Sequence, residues 1–174
     1  MNVLGYDFFH RDCLDVAPEL VGKIIARKTE SGEILRLRIT ETEAYRGEED
    51  TACHASKGRT KRTEILYGDA GIIYVYLCYG MHWLMNVITG EIDFPQGVLF
   101  RACEIYDGPA KLTKYLQIDG SLNYQPLYGN ESIWIEDDGY TPETVTLPRV
   151  GINYATPEYR DILWRFKDNK NLSS

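Results

Sequence analysis

The sequence lacks several features that would assign it to a common class. It has no apolar run of the roughly 18 residues that a membrane span needs, and its first residues lack the charged-then-apolar plan of a signal peptide. A cytoplasmic protein is therefore expected. The chain contains no P-loop, no G-x-G-x-x-G motif, no internal repeat and no low-complexity tract. The usual sequence signatures of nucleotide-binding and repeat proteins are thus missing.

Cysteine is scarce and scattered. The four cysteines form no C-x-x-C pair, so we expect reduced and mostly packed thiols. Cys53, His54 and His82 could supply zinc ligands, but they lack the spacing of a zinc site. No metal or other cofactor is expected.

Positive charge is also in short supply, with 19 Lys and Arg against 26 Asp and Glu and a net charge of −7. This total argues mildly against binding nucleic acid by bulk electrostatics. The basic residues do gather in one short run, which contains Lys57, Arg59, Lys61 and Arg62. Such a run is usually a solvated loop, but it can also hold a few phosphates.

The 174 residues are enough for one domain with a real core. Apolar periodicity and turn residues predict helices over 12–21, 108–116 and 157–166. They predict strands over 23–29, 35–45, 97–104, 133–135 and 149–152, and two further strands within 71–88 on either side of a turn at 79–82. We expect the long polar segment 46–62 to be a functional loop and residues 170–174 to be frayed.

The stretch 35–45 is the most informative one. Simple alternation places Leu35, Leu37, Ile39, Glu41, Glu43 and Tyr45 on one face of a strand. Two carboxylates would then follow three core aliphatics, which is costly unless each carboxylate has a partner. Either the strand leaves the core and both glutamates end in water, or this is a functional site.

Other residues also conflict with their local pattern. Tyr79 lies in a predicted hairpin turn, from which an aromatic ring can stack on a base or wedge between bases. Asn86 and Arg101 interrupt apolar strands, so each needs a hydrogen-bonding partner or a ligand. His54 follows the carboxylate strand closely within the polar loop.

Together these residues belong to a series of motifs spread in order over nearly the whole chain. The motifs are Glu41-Thr-Glu-Ala-Tyr-Arg-Gly-Glu-Glu-Asp-Thr-Ala-Cys-His54, Tyr74-Val-Tyr-Leu-Cys-Tyr-Gly-Met-His82, Asn86, Arg101, Gly108-Pro-Ala-Lys-Leu112 and Arg149-Val-Gly-Ile152. The series resembles the alkyladenine (3-methyladenine) DNA glycosylase family. This resemblance implies a mixed α/β (α+β) fold in which residues 1–174 form a single glycosylase domain with a curved antiparallel sheet and flanking helices.

The resemblance also implies a function. It indicates a base-excision repair enzyme that hydrolyses the N-glycosidic bond of flipped-out alkylated or deaminated purines, such as 3-methyladenine and hypoxanthine, in duplex DNA. The enzyme would need no cofactor, would not cleave the strand, and would act as a monomer, associated with the nucleoid if the protein is bacterial.

Roles for individual residues follow from the same resemblance. Glu43 would be the general base, and Arg101 and the backbone carbonyl of Val150 would help to hold the attacking water. The base pocket would consist of Tyr45, His54, Tyr76 and Asn86, with Asn86 rejecting the extra amino group of guanine. Tyr79 would fill the gap left in the duplex. For Glu41 we expect only a structural role, as a partner of Arg101 or of the basic loop.

The chain departs from the family pattern at three positions. Thr63 stands where Asn is usual, and Leu66-Tyr67 stands where Met-Phe is frequent. Two other functions remain open. One is a sugar glycosidase with Glu41 and Glu43 as its paired acids, and the other is a non-catalytic nucleic-acid-binding module that uses its tyrosines for base stacking.

Overall fold

The computed structural model describes residues 1–170. Within them, nine strands form one sheet: β1 (Asn2–Val3), β2 (Ile24–Lys28), β3 (Ile34–Arg46), β4 (Ile73–Cys78), β5 (His82–Ile88), β6 (Gln96–Cys103), β7 (Ile133–Asp137), β8 (Thr144–Leu147) and β9 (Arg165–Asp168). The helices are α1 (Tyr6–Phe9), α2 (Cys13–Leu20), α3 (Pro109–Tyr115) and α4 (Pro157–Asp161). The predicted mixed α/β class is confirmed.

The sheet is antiparallel and is organised around β3. Its main order is β1-β7-β2-β3-β6-β5-β4. The long strand β3 pairs with β2 along its first half, with β9 along its second half, and with β6 on its other edge. Strand β8 adds to β9. The second half of β3 is therefore enclosed by strands on both sides.

The alternation predicted for β3 is wrong at its middle. The pairing of β3 with β6 shifts register on each side of Glu41, so that Ile39 faces Cys103, Glu41 faces Ala102 and Thr42 faces Phe100. Such β-bulges insert a residue and change which face the following side chains occupy.

The core face therefore passes from Ile39 to Thr42 and Ala44, which are fully buried and pair with the core residues Phe100 and Val98. Glu41, Glu43 and Tyr45 point to the opposite face. The glutamates therefore do not share a face with Leu37 and Ile39.

Helix α2 covers the core face of the sheet. Asp12 caps its start by accepting a hydrogen bond from the amide of Leu14 at 2.9 Å. The buried face of α2 consists of Cys13, Val16, Ala17 and Leu20. The hydroxyl of the fully buried Thr42 donates to the carbonyl of Ala17 at 2.7 Å, so this polar group is satisfied within the core.

Two C-terminal predictions are wrong. Residues 149–152 form no strand, because Gly151 adopts a left-handed φ of 74° that interrupts an extended chain. The helix begins at Pro157 as expected but ends at Asp161, and Arg165–Asp168 instead pairs with β3 and β8. The predicted frayed end lies outside the described residues from position 171 onward. No helix within residues 1–170 is long and apolar enough to cross a bilayer.

Candidate active site

Glu43 is completely buried and is surrounded by hydrogen-bond donors. The hydroxyl of Tyr45 donates to its Oε2 at 2.7 Å, and the backbone amide of Val150 donates to its Oε1 at 3.1 Å. The Nε of Arg101 lies 3.3 Å from the same Oε1. Burial raises the pKa of Glu43, while these three groups lower it. The carboxyl group is thus held in place and its pKa lies above the ordinary value.

Glu41 has a different partner from the one expected. Its Oε1 lies 2.7 Å from Nη1 of Arg165 on the neighbouring strand β9, not beside Arg101 or the basic loop. The expectation for Glu41 is therefore wrong. Each of the two carboxylates has its own arginine, so they do not act as a pair sharing one partner. The possibility that both glutamates end in water is also excluded, since their exposures are 7% and 0%.

Aromatic side chains line a cavity whose wall includes Tyr45, the residue that donates its hydroxyl to Glu43. Tyr45, His54, Tyr76 and Asn86 all contribute to it, and its volume is about 50 Å³. The centroids of His54 and Tyr76 lie 4.8 Å apart with an interplanar angle of 70°. No flat ring fits between these two, since that would require about 7 Å, twice a contact distance of roughly 3.5 Å.

The protonation state of His54 follows from its surroundings. Burial lowers its pKa, and the nearby charges of Arg62 and Lys57 lower it further. Its Nδ1 lies 3.0 Å from the hydroxyl of Tyr74. A neutral imidazole that is hydrogen-bonded to Tyr74 is therefore expected near pH 7.

Asn86 is 8% exposed and lies on β5 directly opposite Tyr74. Its Nδ2 donates to the carbonyl of Tyr74 at 3.2 Å. An amide nitrogen has two hydrogens to donate, so this hydrogen bond leaves the second one for a ligand in the cavity.

Tyr79 stands at the tip of the β4–β5 hairpin. It is 91% exposed and has a φ of 52°, a conformation that is uncommon outside glycine. It lies at the rim of a groove of about 520 Å³ that Tyr45, Tyr76 and Arg101 also line. The cavity and this groove share Tyr45, His54, Tyr76 and Tyr154, so the cavity opens into the groove.

Val150 also lines the groove, and the structure shows a backbone contact of this residue that was not predicted. Its amide, rather than its carbonyl, interacts with Glu43. The carbonyl's interaction with a water remains a prediction.

Sequence reasoning missed several residues of the site. Tyr74 lies in the cavity wall and shares a strand face with Tyr76, a signal that was present in the alternation of β4. Tyr154 borders both the cavity and the groove, and Asp50 forms a buried ion pair with Arg149. Asp50 and Arg149 lie within the quoted motifs, but no local pattern indicated that they pair or marked Tyr154, because these contacts join distant segments of the chain.

The three departures from the family pattern have defined environments. Thr63 closes the basic loop on itself, since its hydroxyl donates to the carbonyl of Gly58 at 2.8 Å. Leu66 lines the cavity, and the hydroxyl of Tyr67 donates to Glu48 at 2.5 Å. Within the basic run, Arg59 is paired with Glu64 and Asp93, so it contributes less positive charge to the surface than the sequence implies.

Among residues 1–170, no group of three or more His, Cys, Asp or Glu side chains is arranged to hold a metal ion. Cys53, His54 and His82 therefore do not converge as zinc ligands. What the sheet does present is a buried, hydrogen-bonded carboxylate beside an aromatic cavity that opens into a groove. That arrangement suits a hydrolase that acts on a flat ring attached to a larger molecule.

Comparison with known proteins identifies the class further. Residues 7–172 match the model of the methylpurine-DNA glycosylase family. The chain is 39% identical to a protein of Natranaerobius thermophilus, with 98% of each chain covered, and 43% identical to one of Legionella pneumophila, with 99% of each covered. Both relatives are provisionally named 3-methyladenine DNA glycosylase. The chain thus belongs to the methylpurine-DNA glycosylase family, hydrolases of base-excision DNA repair, and the resemblance noted in its motifs is confirmed.

Proposed function

We propose that this protein hydrolyses the N-glycosidic bond of alkylated or deaminated purines, such as 3-methyladenine and hypoxanthine, after they have been flipped out of duplex DNA. The observation that carries this proposal is the position of Glu43. Its carboxylate is fully buried, yet three donors hold it beside an aromatic cavity. One chain supplies all of these residues, so a monomer suffices.

The extruded base would occupy the aromatic cavity. Flipping costs a few kcal/mol and costs least for bases whose pairing is already weak. Because no ring fits between His54 and Tyr76, the base would stack with Tyr45 on one side and the His54–Tyr76 pair on the other. Stacking recovers about 1–3 kcal/mol per base, and Tyr79 at the hairpin tip would fill the vacated position in the duplex.

Glu43 would act in the hydrolytic step. Cleavage of the glycosidic bond gives the sugar oxocarbenium character, which a nearby carboxylate stabilises while it accepts a proton from the attacking water. Arg101 and the carbonyl of Val150 would hold that water. The raised pKa of Glu43 makes it a stronger base than an exposed carboxylate.

Asn86 would provide discrimination at the edge of the base. The second Nδ2 hydrogen of Asn86 can be donated to a ring nitrogen of an adenine-like base. If guanine entered the cavity, this hydrogen would instead face the donor hydrogens of the guanine amino group. Two donors that face each other in a buried cavity remain unsatisfied, which costs about 1–3 kcal/mol. This cost would favour adenine-like and hypoxanthine lesions over normal guanine.

The reaction would stop at base removal. Among the described residues that line the cavity and the groove, none is a lysine, so no amine is placed to form a Schiff base with the sugar. A monofunctional glycosylase is therefore proposed.

An oligonucleotide assay tests this function. Duplexes with a single hypoxanthine or 3-methyladenine are incubated with the protein and analysed with and without alkali, and an undamaged duplex serves as control. We expect strand breaks at the lesion only after alkali. Breaks without alkali would overturn the monofunctional assignment. Tight binding without base release would instead favour a non-catalytic module that uses its tyrosines for stacking.

A further inference from the structure

Asp50 and Arg149 form an ion pair in which both side chains are completely buried. The two residues are 99 positions apart, and two parallel hydrogen bonds join them, from Nη1 to Oδ2 at 2.7 Å and from Nη2 to Oδ1 at 2.9 Å. A bidentate pair of this kind fixes both distance and orientation. It fastens the loop after β3 to the segment that carries Val150.

Both partners make further contacts with these segments. Arg149 also donates to the carbonyls of Ala44 and Tyr159, each at 3.0 Å. Asp50 accepts from the backbone amides of Arg46 and Ala52 at 3.0 and 3.1 Å. The ion pair thus joins strand β3, the loop that leads to His54, and the C-terminal part of the chain.

Two elements of the proposed site depend directly on this pair. The guanidinium carbon of Arg149 lies 4.7 Å from the centroid of the Tyr45 ring. The next residue, Val150, donates its amide to Glu43. A shift of Arg149 would therefore move both a ring of the cavity and a donor that holds the carboxylate.

We propose that Asp50 and Arg149 are positioning residues for the glycosylase reaction, in that their buried pair holds the Val150 amide on Glu43 and the Tyr45 ring against the cavity. This inference rests on the proposed role of Glu43. Neither residue needs to touch the DNA. The pair acts through the geometry of its neighbours.

Arg149→Lys is the most informative variant, because it keeps the positive charge and removes the bidentate fork. A lysine ammonium cannot reproduce two parallel hydrogen bonds to a carboxylate together with two carbonyl contacts. The charge near Glu43 would stay the same while the support of Val150 would be lost. A change in catalysis could then be attributed to position rather than to charge.

The pH dependence of excision supplies a readout that a merely structural role would not move. The charged and titratable groups that influence Glu43 or are influenced by it are Glu41, Tyr45, Tyr76, Arg101, Arg149 and Tyr154. The variant changes none of their charges. The Val150 amide lowers the pKa of Glu43, so its displacement should raise that pKa and move the acid limb of the rate profile to higher pH.

The experiment compares Arg149→Lys with Arg36→Lys by single-turnover excision of hypoxanthine across pH. Arg36 also forms a bidentate pair, with Glu136, but lies in the first half of β3 and outside the proposed site. We expect Arg149→Lys to slow excision by about 10–100-fold, as a misplacement of about 1 Å does, with lesion binding changed much less. Arg36→Lys removes the same kind of bidentate contact but should lose less stability, because the Arg36 side chain is 43% exposed, and it should keep the rate and pH profile of the parent protein.

A normal rate and an unshifted acid limb in folded Arg149→Lys would overturn the inference. If Arg149→Lys does not fold, the nearly isosteric Asp50→Asn replaces it, and an unchanged rate at saturation would again refute the role of the pair. Glu43→Gln is measured alongside. Full activity of that variant would refute the proposed function, whereas an inactive Glu43→Gln beside a normal Arg149→Lys would refute only the positioning role.

Discussion

Replacing Glu43 by glutamine changes the proposed catalytic group and little else. The side chains have nearly the same shape, and the oxygen of a glutamine can still accept from the Val150 amide or the Tyr45 hydroxyl, which now hold the carboxylate at 3.1 and 2.7 Å. Arg101, whose side chain is 22% exposed, can turn toward water when it loses its anionic partner. The cavity should therefore keep its form.

The expected loss is large. General base catalysis contributes about 10²–10⁴-fold to a rate, which corresponds to about 3–5 kcal/mol of transition-state stabilisation at 1.36 kcal/mol per factor of ten. Loss of the negative charge next to the forming oxocarbenium ion adds to this. Single-turnover release of hypoxanthine by excess Glu43→Gln should fall by at least about 10²-fold. Its affinity for the lesion, measured by fluorescence anisotropy, should stay close to that of the parent protein.

Stability measurements provide the control. The folded-state pKa of Glu43 is raised above its ordinary value, chiefly by burial. The contribution of its protonated form to the free energy of unfolding is therefore fully present below the unfolded-state pKa. That contribution is lost as the pH rises through the folded-state pKa. At neutral pH the buried, ionised carboxylate therefore lowers the free energy of unfolding, whereas a neutral glutamine does not. Urea unfolding should show Glu43→Gln to be at least as stable as the parent at pH 7, with a smaller advantage near pH 4. Excision within about tenfold of the parent rate would remove Glu43 from its role.

Three further predictions concern other residues of the proposed site. Tyr79→Ser should weaken lesion binding more than it slows excision at saturation, and equal affinities of the two proteins in anisotropy titrations would refute the wedge. Tyr45→Phe keeps the stacking ring but removes the hydroxyl that lowers the pKa of Glu43. The acid limb of the pH profile of excision should therefore move to higher pH. An unmoved limb would show that this hydrogen bond is unimportant. His54 should titrate below its ordinary pKa because it is buried near Arg62 and Lys57, which NMR of its ring protons can measure; a normal or raised pKa would show that burial and these charges do not lower it.

Local sequence was sufficient for much of the framework. Helix α2, the start of α3 at Pro109, and the hairpin that exposes Tyr79 all follow from turn chemistry and periodicity. These features depend on residues a few positions apart, so a single sequence records them. The motif series was also enough to predict the family.

Tertiary structure alone decided how the site is assembled. Alternation along β3 predicts a face only while the register holds, and the bulges beside Glu41 depend on pairing with β6. The partner of Glu41 is Arg165, and the partner of Asp50 is Arg149, at separations of 124 and 99 residues. No local pattern encodes such pairs. They arise when burial brings charges together and each charge must find its counterion.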